Sequence, residues 1–261
     1  MDFSEMKQYV QGDDTRNMDW KATRRTGKPY VRIYNEERDR NVWLVISQMN
    51  SMFFGSKERM KSVSAAHTAA LFAFKALETG DRVGAVVYNN DEVKFFKASS
   101  SKNNIVNIMT EIERQNNLLE AHNADFSKGN LGASLKILSS LAKHDDLVVL
   151  IGDGRAMDEE SAKHITRINA HNDVIAVMVY DPMEEQIVPS SSLFLTDGVE
   201  TVDLDSRESH FLEKYRALLN NRKEDFKNLS RKNALPLLSI STERAVLEQL
   251  YEQLSLHRER E

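Results

Sequence analysis

Three continuous apolar runs of strand length constrain most strongly what this chain can fold into. They span residues 42–46, 147–151 and 174–180, and none shows the polar alternation of a half-exposed strand. Such runs are typical of strands that are buried on both faces, as in parallel sheets covered by helices. Segments with helical periodicity separate them. The alternation predicts an α/β fold with a doubly wound, mainly parallel sheet.

The remaining elements follow from periodicity and turn signals. We predict further strands at 82–88, 93–96 and 235–240, a short hairpin at 193–195 and 201–203, and helices at 57–78, 103–119, 130–143, 158–171, 207–232 and 242–254. In the 57–78 helix the predicted core side carries Met60, Val63, Ala66, Ala70, Leu71, Phe74 and Leu77. His67 lies among them, which predicts a core histidine with satisfied hydrogen bonds.

The first forty residues differ in character from the rest. They are polar and interrupted by turn residues, with one alternating segment at 30–34 that predicts a half-buried strand. We therefore predict an N-terminal extension, residues 1–40, that packs on a main domain formed by residues 41–261. Asp13, Asp14 and Asp19 are expected to fasten this extension through side-chain to backbone hydrogen bonds.

Composition excludes several classes of function. The chain has 261 residues and no cysteine, so disulfide scaffolds, thiolate nucleophiles and cysteine metal sites are absent. Lys and Arg number 35 against 40 Asp and Glu, a net charge of −5 that does not suit nucleic acid. No apolar run reaches about 18 residues, so no transmembrane segment is expected. The N-terminal residues show no signal-peptide pattern, and we expect a cytoplasmic protein.

Ligands of doubly wound sheets bind beyond the carboxyl ends of the strands, where the strand order reverses. The loops to consider are therefore 47–55, 123–130 and 152–158. They carry Ser47 and Ser51 after the first apolar run and Asp153 after the second. This layout resembles the von Willebrand factor A-type (vWA) domain. In that fold an Asp-x-Ser-x-Ser loop, a distant Thr and a distant Asp form a metal-ion-dependent adhesion site for a hard cation such as Mg²⁺.

A succession of short motifs makes the resemblance more specific. The motifs are residues 3–9, 12–16, 18–24, 36–39, 51–56, 61–63 and 80–84. Together they resemble the bacterial family known as domain of unknown function 58 (DUF58), over nearly the whole chain. That family is vWA-like and is usually encoded beside a MoxR-type AAA+ ATPase. The resemblance therefore implies a vWA-like domain that works with such an ATPase.

The chain departs from the family pattern at the first two positions of the metal site. Ser47 stands where the metal-binding Asp is expected, and Met49 where the first metal-binding Ser is expected. Ser51 and Asp153 are retained. A neutral hydroxyl and a thioether are poor ligands for a hard dication, and Ser47 also removes one negative charge.

The threonine position of the family site also differs. It falls at Gly129, and Asn130 stands where an Asp often follows. Only two of the five expected positions therefore survive. The resemblance predicts a degenerate metal-ion-dependent adhesion site, whose loops still bind a partner while Mg²⁺ binds weakly or not at all. We expect no cofactor.

Purely structural roles for these residues also stay open. Asp153 fits a turn between glycines equally well, and Ser51 fits a turn residue approaching a helix. The apolar residues 52–54 fit either an exposed contact loop or side chains that fold back into the core. We predict that at least two of the three fold back.

These features predict a non-enzymatic adaptor. Its implied partners are a MoxR-type AAA+ ATPase and an unknown client protein, in assembly or stress tolerance of protein complexes. No dinucleotide, P-loop, nucleophile-elbow or zinc-protease motif is present in the sequence. The alternative is a Mg²⁺-dependent phosphohydrolase that uses Asp203 and Asp205, because their spacing matches the Asp-x-Asp of one phosphatase class. Asp205 equally suits the N-cap of the following helix.

Overall fold

The computed structural model of the protein describes residues 2–11, 13–35, 40–120, 130–185, 193–196, 201–204 and 226–258. The chain divides into two compact units, residues 1–39 and residues 40–261. Whether the first unit packs on the second, as the sequence predicts, stays a prediction.

The N-terminal unit is a hairpin of two strands with one helix between them. Strands β1 (Asp2–Gln8) and β2 (Tyr30–Asn35) pair antiparallel, and helix α1 spans Trp20–Thr26. The strand predicted at 30–34 is confirmed, whereas β1 was not predicted. Residues 2–8 are mostly polar, so their sequence lacks the apolar pattern that would predict a strand.

Three aspartates organise the connections of this unit, as predicted. Asp13 accepts a hydrogen bond from the Val10 amide at 2.9 Å, and Asp14 accepts one from the Arg16 amide at 3.0 Å. Asp19 caps α1 by accepting hydrogen bonds from the first amides of the helix. Such caps satisfy backbone donors that the helix leaves unpaired.

The main unit contains a six-stranded sheet, a separate two-stranded ribbon, and helices. The strands are β3 (Asn41–Ser47), β4 (Arg82–Tyr88), β5 (Val93–Ser99), β6 (Leu147–Gly152), β7 (Asp173–Tyr180), β8 (Leu193–Thr196), β9 (Thr201–Leu204) and β10 (Leu237–Ser241). The helices are α2 (Lys61–Glu78), α3 (Lys102–Asn116), α4 (Leu131–Leu141), α5 (Glu159–Asn169), α6 (Pro182–Glu185), α7 (226–233) and α8 (Val246–Arg258). Strands β8 and β9 form the predicted hairpin.

The order of the large sheet is β10-β7-β6-β3-β4-β5. All neighbours pair parallel except β4 and β5, which pair antiparallel at one edge. Counted within the sheet, this is the doubly wound order 3-2-1-4-5-6. The predicted mixed α/β class with a mainly parallel sheet is confirmed.

Helix α2 corrects three predictions. It begins at Lys61 and not at residue 57, because residues 53–60 form a loop closed by a hydrogen bond from the Lys61 amide to the Phe54 carbonyl at 2.8 Å. Its buried side also differs from the predicted stripe. The buried residues are small or polar: Lys61, Ser62, Ser64, Ala65, Thr68, Ala69, Ala73 and Ala76. Phe74 is exposed, and so is His67, which is therefore not a core histidine.

Other boundaries shift by a few residues. The predicted helix at 242–254 spans Val246–Arg258, because residues 242–245 form the turn after β10. Most of the predicted helix at 207–232 lies outside the described residues, although 226–233 is helical. Among the residues that the structure describes, no helix combines the length and apolar character that crossing a bilayer requires.

Candidate functional site

The site lies where the strand order reverses, beyond the carboxyl ends of β3 and β6. These two strands are neighbours in the sheet although about 100 residues separate them in sequence. Ser47 is the last residue of β3, and Asp153 follows β6 directly. Ser51 lies in a single 3₁₀ turn, Asn50–Met52, after β3. The fold therefore brings Ser47, Ser51 and Asp153 to one end of the sheet.

Ser47 is engaged within the protein. Its hydroxyl lies beside the phenol of Tyr88, the last residue of β4. Burial raises the pKa of Tyr88 well above its ordinary value. Gly152 makes this contact possible, because a Cβ on it would lie only 3.1 Å from the Ser47 Cβ. Ser47 is thus part of the packing between strand ends.

Met49 and Ser51 differ in their surroundings. Met49 is fully buried within the hydrophobic core, where its thioether packs and is not directed to a ligand. The Ser51 hydroxyl is also buried. It makes no hydrogen bond of standard geometry with any described residue, although its nearness to Asp153 favours the ionised carboxylate. Of the apolar residues beside it, Met52 is buried in the core, Phe53 is half-buried and Phe54 is exposed, so only Met52 lies in the core and the prediction of two is wrong.

Asp153 belongs to a group of four charged side chains that contact one another. We call Lys61, Asp153, Arg155 and Glu184 the charged cluster. The Lys61 Nζ donates to Asp153 Oδ2 at 3.1 Å and to Glu184 Oε1 at 2.7 Å. The Arg155 Nη2 donates to the same Glu184 oxygen at 3.1 Å, and its Nε lies 3.4 Å from Asp153 Oδ2. Two cations therefore balance two carboxylates.

These ion pairs are largely shielded from solvent. The side chain of Lys61 is 1% exposed and that of Asp153 is 6% exposed. Burial opposes ionisation of Asp153, but the charges of Lys61 and Arg155 outweigh it and hold the pKa of Asp153 below its ordinary value. The Arg155 amide adds a hydrogen bond to Asp153 Oδ1 at 3.1 Å. Asp153 is thus ionised at neutral pH, in a cluster whose described charges balance.

The four members of the charged cluster come from three parts of the fold. Lys61 is the first residue of α2, and Glu184 lies in the short helix α6 after β7. Asp153 and Arg155 flank Gly154, which has a φ of 77° and forms the turn after β6. Only a residue without Cβ adopts that backbone region freely. The sequence motif at 61–63 contains Lys61, but nothing in the sequence assigns it a role.

A further buried carboxylate, Asp181, closes the same end of the sheet. It follows β7 and accepts hydrogen bonds from the Ser56 amide at 2.8 Å and the Thr242 hydroxyl at 2.6 Å. Burial opposes its ionisation, but these hydrogen bonds outweigh burial and lower its pKa. Its position directly after an apolar strand is the signal by which the sequence could have revealed it. Asp181 ties together the loops after β3, β7 and β10.

Asn130 joins the site indirectly. It precedes α4, and its Nδ2 donates to the Asn89 and Asn90 carbonyls at 3.0 and 3.2 Å. The Asn90 side chain in turn accepts a hydrogen bond from the Asn50 amide at 2.8 Å, next to Ser51. Gly129, the other predicted residue of this loop, lies outside the described residues. Asn130 therefore connects loops through neutral hydrogen bonds.

The residues present do not fit a divalent cation at this position. Mg²⁺ requires about six oxygen ligands near 2.1 Å, and its sites in proteins carry carboxylates that are free to bind it. Here Asp153 is bound by Lys61, Ser47 is a buried neutral hydroxyl, and Met49 lies in the core. The described part of the chain contains no group of three or more His, Asp or Glu side chains that could hold a metal ion. Among the described residues, Ser51 has a buried hydroxyl near Asp153 that makes no hydrogen bond of standard geometry.

The aspartates of the phosphohydrolase alternative are not brought to this site by any described contact. The backbone of Asp203 lies in β9, within the two-stranded ribbon. Asp205 lies outside the described residues. That alternative stays a prediction.

The strand order and the loops at its reversal point define a doubly wound α/β domain. Comparison with known proteins gives the family. The model of "Protein of unknown function DUF58" matches residues 5–225, and the chain belongs to this family, as its motifs predicted. An uncharacterised protein of Mycobacterium tuberculosis is 24% identical over 241 residues, covering 92% of this chain and 74% of the relative. A Mycobacterium bovis protein matches equally well.

One similar solved structure supports the fold. The conserved hypothetical protein BatB of Bacteroides thetaiotaomicron has a TM-score of 0.51 at 10% identity, covering 84% of this chain and 98% of that chain. The VWA domain of SpRpn10 has a TM-score of 0.39 at 11% identity, with coverage of 83% and 95%. At these identities the BatB likeness supports the fold alone.

Proposed function

We propose that this protein is a non-enzymatic protein-interaction module, an adaptor, whose degenerate metal site recognises a partner without a metal ion. The observation that carries the proposal is the charged cluster. Each of its carboxylates is committed to a buried cation, so none is available to hold Mg²⁺ or to transfer protons. The loops would therefore present a partner with a rigid surface that carries polar and apolar groups at its edge.

The recognition surface would be the three loops tied together by Asp181, which we call the rim: residues 53–60, 181–185 and 241–244. Ser56 and Met183 both donate backbone hydrogen bonds to Asp181, which places their loops side by side. Lys57 pairs with Glu243 at 2.8 Å across the first and third loops. Phe54 and Met183 are exposed apolar side chains on this rim. Burial of such anchors supplies most of the binding energy in protein interfaces.

The proposed partner is a MoxR-type AAA+ ATPase, with an unknown client protein. Membership in the family supports this partner, because the resemblance implies pairing with such an ATPase. The net charge of −5 supports a protein partner over nucleic acid. The activity would be recognition during ATPase-driven assembly or maturation of protein complexes.

The test is capture of the ATPase by the tagged protein from its native lysate, with and without excess EDTA, and with identification by mass spectrometry. Nucleotide-free lanes are needed because EDTA also removes Mg²⁺ from ATP. We expect an AAA+ ATPase to be captured equally in both conditions. The Phe54→Asp variant should lose capture, whereas Val106→Asp, a change at an exposed apolar residue of α3, should retain it.

Two results would contradict the proposal. Capture that EDTA abolishes and Mg²⁺ alone restores would show that recognition depends on a metal ion. An ATPase missing from every lane, with folded bait, would show that the partner is a different protein.

A further inference from the structure

We infer that the Lys61 ammonium is the built-in cation of this domain, which holds the loops of the site in place of a divalent metal ion. The inference deepens the proposed function, on which it rests for its meaning in recognition. Lys61 lies 92 residues from Asp153 and 123 residues from Glu184 along the chain, yet its Nζ binds both. One positive charge therefore joins the segments that follow β6 and β7.

The same residue also holds the loop after β3. Its backbone amide donates to the Phe54 carbonyl at 2.8 Å, which closes the loop at the start of α2. Lys61 thus connects α2, the 53–60 loop, the turn at Asp153 and helix α6. In a metal site, a cation joins loops in this way by accepting ligands from each of them. Here the Lys61 ammonium joins the turn at Asp153 to α6 through two ion pairs, and the Lys61 backbone amide adds one hydrogen bond to the 53–60 loop.

Charge balance argues against a metal ion in addition to Lys61. The charged cluster holds two positive and two negative side chains, all mostly buried. A dication bound at the Asp153 carboxylate would lie close to the Lys61 Nζ, which is 3.1 Å from Asp153 Oδ2. It would bring two further positive charges into a neutral, poorly solvated group, where like charges repel strongly. Ser47 fits this balance because it lacks the carboxylate that a metal would require.

A tethered ammonium has different functional consequences from a metal ion. It cannot be removed by chelators or by low metal concentration. It also leaves no open coordination position for a partner's carboxylate, which a metal-ion-dependent adhesion site uses for binding. The loops of this domain are therefore fixed at all times, and recognition is constitutive.

The test replaces Lys61 and returns its charge from solution. Lys61→Ala should lower the thermal midpoint by about 10 °C, because it leaves two buried carboxylates with one cation. n-Butylammonium should recover part of that loss, whereas n-butanol, of similar size but uncharged, should not. Lys75→Ala is the matched control, since Lys75 lies on the same helix in an exposed ion pair. It should show neither the loss nor the recovery.

Calorimetric titration of the wild-type protein with Mn²⁺ completes the experiment. We expect no stoichiometric site tighter than about 1 mM. A tight Mn²⁺ site that Asp153→Asn removes would overturn the inference. Equal recovery by n-butanol, or no recovery by either compound, would also overturn it, because only volume or backbone packing would then have been lost.

A second variant decides the matter if Lys61→Ala does not fold. The double variant Lys61→Ala, Glu184→Gln removes one charge of each sign and leaves Asp153 paired with Arg155. It should fold and unfold cooperatively, whereas a double variant as unfolded as Lys61→Ala would refute the charge argument. None of these readouts uses a partner. Failure of the adaptor proposal in the capture experiment is therefore distinguishable from failure of this inference.

Discussion

At the scale of the residue, burial and charge together decide what the site can do. A lysine or an aspartate isolated in a protein interior carries a large desolvation cost. Lys61 and Asp153 avoid it because each supplies the opposite charge within hydrogen-bond distance. Removing one partner of such a pair is far more destabilising than removing an exposed charge. The chemistry of the site therefore depends on pairs of residues, and no single position in the loop sequence reveals it.

The lowered pKa of Asp153 predicts a pH dependence of stability. In the folded protein this carboxyl has a pKa below its ordinary value of 3.8, so the unfolded chain binds its proton more readily. The stabilisation is complete above the ordinary pKa and is lost as pH falls through the folded value. We expect Asp153→Asn to cost about 3–5 kcal/mol at pH 7, and the difference from wild type to shrink below about pH 4.

Thermal unfolding of both proteins between about pH 7 and pH 3 measures this difference. Glu159→Gln is the control, because Glu159 forms an exposed pair with Lys163 and should change stability little at any pH. If the difference in stability between wild type and Asp153→Asn stays constant down to the lowest pH, Asp153 stabilises the protein through its shape and not through its charge.

At the scale of the element, helix α2 shows how the sheet selects a helix face. The helix contacts β3, β4, β6 and β7, so it lies over the middle of the sheet. Its buried face carries Ala65, Ala69 and Ala73, which allow the helix backbone to approach the strands closely. Larger apolar residues lie at the sides, and Phe74 is 53% exposed. Packing distance thus decided the orientation of this helix, against the simple hydrophobic pattern.

This packing predicts opposite sensitivities on the two sides of α2. Ala69→Leu should destabilise the protein by about 1–3 kcal/mol, because no space exists between the helix and the sheet. Phe74→Ala should change stability by less than about 0.5 kcal/mol, since the ring is largely in solvent. Urea unfolding of both variants measures the free energies. A larger loss for Phe74→Ala than for Ala69→Leu would mean that the helix face is assigned wrongly.

At the scale of the whole molecule, strand order assembles the site. The chain passes from β3 out to β5 and then returns to place β6 on the other side of β3. Strands β7 and β10 extend the sheet beyond β6, so the loops after β3, β6, β7 and β10 emerge at the same end. Every strand of the sheet and every member of the charged cluster belongs to the unit formed by residues 40–261.

That organisation predicts that residues 40–261 fold without the N-terminal unit. A protein consisting of these residues should show a single cooperative thermal transition, because its core and its charged cluster are complete within it. Circular dichroism of the shortened and full-length proteins makes the comparison. A non-cooperative transition of the shortened protein alone would show that residues 1–39 contribute to its core.

The sequence by itself determined the class of fold, and it predicted which strand ends would form the candidate site. Continuous apolar runs are diagnostic because a strand buried on both faces excludes polar residues along its whole length. Ser47, Ser51 and Asp153 were found in the same way, since strand ends define the ligand edge of a doubly wound sheet.

The tertiary structure decided which face of α2 is buried and which cation lies at the site. Both depend on distances between segments that are remote in the chain. The small residues of α2 are buried because the sheet is close, and hydrophobic periodicity does not record that distance. Lys61 finds its carboxylates 92 and 123 residues away, and no local pattern encodes such a pairing. Charge compensation in an interior is therefore a property of the fold, and here it made Lys61 a central residue of the site.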